Sequence, residues 1–165
     1  MRKIILIPVL FASAWIGAQA QPVSEKEAIL IPIRLLFEGM HQGDSSTVHR
    51  VFYNQVTLAT ITKDKNGKPI IRHELSVDAF LKAIGTPHTE KYNEETWGEK
   101  ILVDGNFAQV WMNYAFYLGN KFSHCGVDAF HLFKNSTGTW QIFHLADTRQ
   151  QEGCQVPKEI QERFK

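Results

Sequence analysis

Apolar residues at helical spacing open the chain: Ile29, Ile33, Leu36, Phe37 and Met40 recur every three or four positions and stop at Gly43. Ser24 with Glu27 three residues on forms a capping box at the start, and Gly43 suits the end. Pro32 interrupts the pattern; lacking an N–H, it predicts a kink or a helix that begins nearer to itself. Asp44 or Ser45 caps a second, short helix through Val48, Val51 and Phe52. The stretch from Gln55 to Thr62, the turn Lys65-Asn66-Gly67-Lys68 and the run from Pro69 to Leu75 read as a hairpin. Ser76 then starts a third helix, with Val77, Phe80, Leu81 and Ile84 on one side and Gly85 at its end, and Thr86 to Asn93 reads as loop.

From Glu95 the period changes to two. Strands are predicted at Glu95 to Val103, Phe107 to Leu118, and in a long last hairpin from Phe122 to Cys154, which together make a four-stranded antiparallel meander. Both faces of Phe107 to Leu118 are apolar, with Val110, Met112, Tyr114 and Phe116 on one and Trp111, Ala115 and Tyr117 on the other. A sheet that meets water on one side alternates with polar residues there. Helices cover one face, so a partner chain is expected on the other, as in a homodimer, through Met112, Tyr114, Phe116 and Ile142.

The first twenty residues change the picture of where the protein works. Arg2 and Lys3 precede an apolar run from Ile4 to Ile16 and then Ala18-Gln19-Ala20. That is the order of a secretory leader, shorter than the roughly 20 apolar residues of a membrane span, with cleavage expected after Ala20. The expected division is a signal peptide over 1–20 and one domain over 21–165, placed in the periplasm or outside the cell with no membrane span after cleavage. Loss of the leader takes the basic residues from 18 to 16 against 17 acidic ones, and no basic cluster suggests nucleic acid. Cys125 and Cys154 in an exported protein are expected to pair. The absence of CxxC and of regularly spaced ligands argues against a metal site, and no cofactor motif is present.

Leu36-Phe37-Glu38-Gly39-Met40 with Gly43-Asp44, Ser76 to Ile84, Asp104-Gly105-Asn106-Phe107-Ala108, and above all SHCGVDAF, TWQI and ADTR with GC, resemble the NTF2-like (nuclear transport factor 2-like) superfamily, in a secreted bacterial branch near the lumazine-binding-like group. The resemblance implies an α+β cone: a curved, mostly antiparallel sheet with three helices from the N-terminal half on its concave face. It also implies a cavity between sheet and helices and frequent dimers through the outer sheet face. The superfamily holds dehydratases, isomerases, transport factors and proteins of unknown role, so the fold selects no activity.

Register decides which side chains share the cavity. If Lys134 pairs with Thr139 and Leu118 with Lys121, one face gathers Trp111, Asn113, Tyr117, His124, Asp128, Phe130, Phe143, Leu145, Asp147 and Arg149. The resemblance to ketosteroid-isomerase-like members implies that this face lies inside. Trp111, Asn113, Tyr117, Asp128, Phe130, Phe143, Asp147 and Arg149 are then the expected ligand-binding set, with Gly126 leaving room beside the carboxylates. Asp128, Asp147 and Arg149 read either as an acid–base set with split pKa values or as a structural ion-pair network. His124 reads as a proton carrier at the pocket mouth or as a packing residue. His131 and His144 fall on the outer face.

Three functions fit this pattern. The first is an exported protein that binds a small apolar or aromatic molecule in the cone. The second is a dehydratase- or isomerase-type enzyme in which Asp128 or Asp147 moves a proton and Arg149 stabilises the developing anion. The third is a protein-interaction module that uses the outer sheet face.

Overall fold

The computed structural model describes residues 23–74 and 76–165; the expected signal peptide lies outside the described residues. Helix α1 (Glu25–Gln42) starts where the capping box places it: the Ser24 side chain accepts from the Glu27 N–H at 3.2 Å. It ends at Gly43, whose φ of 72° lets its N–H turn back to the Gly39 and Met40 carbonyls. Pro32 is buried inside this helix and does not move its start. Asp44 caps α2 (Ser45–Val51), and Ser76 caps α3 (Val77–Gly85).

The strands are β1 (Phe52–Lys63), β2 (Pro69–Glu74), β3 (Tyr92–Asp104), β4 (Phe107–Leu118), β5 (Lys121–Lys134) and β6 (Trp140–Thr148). They form one sheet in the order β2-β1-β6-β5-β4-β3, antiparallel except where β1 runs parallel to β6. The three helices pack on one face, where Ile29, Ile33 and Leu36 of α1, Val48 of α2 and Ile84 of α3 meet Val110, Met112, Phe130, Leu132 and Ile142. This is the expected α+β cone.

Among the described residues the outer face is covered at one end only. A fourth helix, α4 (Lys158–Arg163), lies there: Ile160 packs with Ala115, Tyr117 and Cys125, and Phe164 stacks on Tyr117 at 3.9 Å. The Cys125–Cys154 disulfide, with its Cα atoms 6.0 Å apart, ties this tail to β5. At the other end Leu102, Phe107 and Trp111 stay exposed.

Strand register departs from expectation at three places. Leu118 does pair with Lys121, but a bulge at Ser123 shifts the ladder, so that Phe116 faces His124, Tyr114 faces Gly126 and Met112 faces Asp128. Trp111, Asn113 and Tyr117 therefore point outward, and Met112, Tyr114 and Phe116 point inward. At the last turn Lys134 pairs with Trp140, and a bulge at Phe143 adds a second slip, so that Asp128 lies opposite Asp147. Trp140 and Ile142 thereby join the inner core, while Phe143 stands outside against Phe107 and His131. The apolar patch expected on the outer face through Met112, Tyr114, Phe116 and Ile142 is thus interior.

Candidate functional site

The inward side chains of β3 to β6 and the facing sides of α1 and α3 enclose a cavity of about 330 Å³. Leu36, Phe37 and Met40 of α1 and Phe80 and Ile84 of α3 form one wall. The opposite wall is a row of rings: Tyr92 and Phe116 with centroids 5.7 Å apart, then Phe116 and His124 at 5.0 Å, then His124 and Tyr114 at 5.7 Å. His124 and Arg149 also line a polar vestibule of about 690 Å³ outside the mouth.

Asp128, Asp147, Arg149 and His124 all face this cavity, whereas Trp111, Asn113, Tyr117 and Phe143 stand on the other side of the sheet. Phe130 faces inward but is packed against Phe37 in the core, beneath the cavity. Gly126 leaves no room beside the carboxylates. A Cβ there would run into the Thr148 carbonyl, whose carbon would lie 2.7 Å away, because β6 crosses β5 closely at this point. The Thr148 hydroxyl accepts from the Val127 N–H at 3.0 Å, and the Tyr114 hydroxyl donates to the Thr148 carbonyl at 2.9 Å.

The residue that sequence reasoning missed is Glu94. It lies on β3 opposite Phe116 and lines the cavity, in a stretch that reads as loop up to Asn93 and as an outer strand after it. Its signal is Gly98, with φ of 67° in the middle of β3, where a bulge turns the Tyr92-Glu94 face inward. Glu94 and Asp128 stand within hydrogen-bonding reach of each other. Asp128 is 3% exposed, and its Oδ2 receives no hydrogen bond from any N–H or hydroxyl. The pair is satisfied only when one carboxyl keeps a proton and donates it to the other.

Burial drives the protonation of both. It raises Glu94 to about 7, the contact with Asp128 pulling the other way, and it raises Asp128 well above the usual carboxylate range, reinforced by Glu94. Burial also pushes the His124 imidazole down to about 4, helped by Arg149 and opposed by Asp147, so His124 is neutral at pH 7. The Tyr114 hydroxyl is held protonated by burial and by Asp147. At the mouth Asp147 is fully partnered: it accepts from Thr60 and from Arg149 Nε at 2.8 Å, with the Tyr114 hydroxyl at 3.3 Å. Among the described residues no group of three or more His, Cys, Asp or Glu is placed to hold a metal ion.

Two expectations follow. The Arg149 side chain is half exposed, so Arg149→Ala should cost about 1 kcal/mol, not the several expected of a broken buried pair. A loss above 3 kcal/mol in chemical denaturation would show the pair to be dry. Glu94 supplies a pH dependence of known sign. Its folded pKa lies above the unfolded one, so its stabilising contribution is full below about pH 4.5 and is lost as pH rises through about 7. Glu94→Gln should therefore gain on the wild type, by on the order of 2 kcal/mol, between pH 5 and pH 8. The opposing contribution of His124, lost as pH falls below 6.5, is common to both proteins, whereas Asp128, which Glu94 helps to hold protonated, is raised less in the variant and so adds to the same gain. A constant difference across that range would show that Glu94 titrates normally.

With the cone and its cavity in place, comparison with known proteins decides the family. Residues 24–144 match the family described as "Putative lumazine-binding". The chain belongs to that family, and its fold is the one seen in NTF2-like structures. The fold is shared with an NTF2-like protein of unknown function from Shewanella baltica, at 17% identity and a TM-score of 0.58 over 81% of this chain and 100% of that one. It is shared also with an NTF2-like protein from Cytophaga hutchinsonii, at 11% identity and TM-score 0.59 over 77% and 99% of the two chains. A third structure, named "Putative Scytalone Dehydratase", from Novosphingobium aromaticivorans, matches at 13% identity and TM-score 0.60 over 81% and 89%. No curated protein matches the sequence. At these identities the NTF2-like likeness carries the fold and not the chemistry.

Proposed function

We propose that this NTF2-like chain is an exported protein that binds a small aromatic molecule in its cone. The observation that carries the reading is the cavity itself: open at one end, walled by rings and aliphatic side chains, with the Glu94 and Asp128 carboxyls inside and Glu74, His124, Asp147 and Arg149 completing its polar lining. Membership of a family described as lumazine-binding supports a small-molecule partner. A disulfide, and the lack among the described residues of a helix long and apolar enough to cross a membrane, are consistent with an extracellular location. Native mass spectrometry of protein purified from its own host tests the reading. A retained non-covalent mass is expected, and bare protein that also fails to shift its melting temperature with any aromatic probe would end it.

Pairing of two copies through the outer face belongs to the same proposal, now based on the exposed Leu102, Phe107 and Trp111. Sedimentation that finds only monomer at micromolar concentration removes it.

One observation favours an enzyme as the second reading. A carboxyl pair that keeps a proton beside an open cavity is equipped to give and take it, with Asp128 as the moving acid. Asp147 and Arg149 serve it less well, because each already neutralises the other at 2.8 Å. Wild-type protein that exchanges no substrate proton in deuterated water, under conditions where it binds a ligand bearing acidic C–H groups, would exclude this reading. The interaction-module reading would rest on the exposed outer face alone, and the open cavity favours the binder over it.

A further inference from the structure

We propose that the cavity selects a planar aromatic cation, or a ring with adjacent N–H donors of the amidine or aminopyrimidine type, with that edge set against Glu94 and Asp128. The inference rests on the binding reading above and names the chemical class of the ligand.

The census of charge around the cavity carries it. Strand β2 brings Glu74 to the rim, β3 brings Glu94, β5 brings Asp128 and His124, β6 brings Asp147, and Arg149 follows directly after β6. The helices α1 and α3 contribute apolar side chains alone. Four carboxyl groups therefore face one guanidinium, and that guanidinium is committed to Asp147. His124 is neutral. Among the described residues an anionic ligand finds one cation in the cavity, already paired through its Nε with Asp147 and set against three further carboxyls. A donor-rich edge, in contrast, finds Asp128 Oδ2, a buried acceptor without a donor, with a second carboxyl beside it. A planar N–H fork facing carboxylate is the geometry of the strong bidentate hydrogen bond. The ring faces of Tyr92 and Phe116 add attraction for a cation laid along them.

Binding then displaces the proton that Glu94 and Asp128 share. The bound cation takes over its role as the bridge between the two carboxyls, and the proton passes to water. Affinity should accordingly rise as pH rises through neutrality, while an amidinium keeps its charge over that range.

The test is isothermal titration of the purified protein with three ligands that share one ring system: 2-naphthamidine, 2-naphthamide and 2-naphthoate. The amidine is expected to bind at least about tenfold more tightly than the amide, with the naphthoate weakest. Amidine affinity should increase from pH 5.5 to pH 8, and its heat should vary with the ionisation enthalpy of the buffer, which reports proton release. Asp128→Asn should bring amidine and amide within about threefold of each other. If that variant does not fold, the pH and buffer dependence of the wild type decides alone. Naphthoate binding as tightly as the amidine, or amidine binding that tightens toward acid pH, overturns the proposed class and leaves the binding reading standing. Failure of all three to bind at millimolar concentration removes the class, and the binding reading is then decided by the native mass spectrum and melting shifts described above.

Discussion

Replacing Gly126 by alanine is expected to cost about 3 kcal/mol or more, or to prevent folding. A methyl group at this position meets the Thr148 backbone, which unlike a side-chain end cannot turn aside. To make room, β6 would have to lift away from β5. That movement would stretch the bond from Val127 N–H to the Thr148 hydroxyl and the bond from Tyr114 to the Thr148 carbonyl. Asp147 and Arg149 would move with them, so a surviving variant should also bind ligand poorly. Chemical denaturation reads the effect directly. A loss below 1 kcal/mol would mean that β6 does not approach β5 as described.

Loss of the Cys125–Cys154 bond is the second large effect. The two residues are 29 apart in sequence, and opening a loop of that size should cost roughly 3–4 kcal/mol in the chain-entropy view. Cys154→Ser removes the bond and leaves Cys125, 3% exposed, as a small apolar side chain in a packed site. The tail would then rest on Ile160, the stack of Phe164 on Tyr117 and the ion pair of Arg163 with Glu95. Denaturation of oxidised and reduced wild type, beside the variant, should show the loss in both of the latter. Susceptibility to protease near Gln151 to Val156 should rise in parallel. Equal stabilities would show that packing alone holds the tail.

Helix ends and hairpin turns were legible because each is written in a few adjacent residues: Ser24 with Glu27, Asp44, Ser76, Gly43 and Gly67. The faces of the strands were legible only in part, because one extra residue reverses every side chain beyond it. The single slip at Ser123 moved Trp111, Asn113 and Tyr117 out and brought Tyr114 and Phe116 in. Between β5 and β6 two slips accumulate, one at the turn after Lys134 and one at Phe143, and an even number restores the original faces. Asp128, Asp147 and Arg149 reach the cavity for that reason, although their expected partners were wrong. Glu94 required a bulge at Gly98 to be recognised, and a glycine in a strand does not announce which way the strand will turn. Helix α4 spans six residues, too few for a period to show.

The position of β6 between β5 and β1 has a bearing on how the protein is made. Strand β1 contacts the meander only by lying parallel to the strand that ends at Thr148, so the two halves of the sheet stay separate until nearly the whole chain is available. Such distant pairing is slow to form, since loop closure must be met before the contacts reward it. A chain that crosses a membrane through a narrow channel has to arrive unfolded. In the export proposed above, the order of strands would delay closure until the C-terminal third has emerged, and the disulfide, between two residues of that same third, would form only after it.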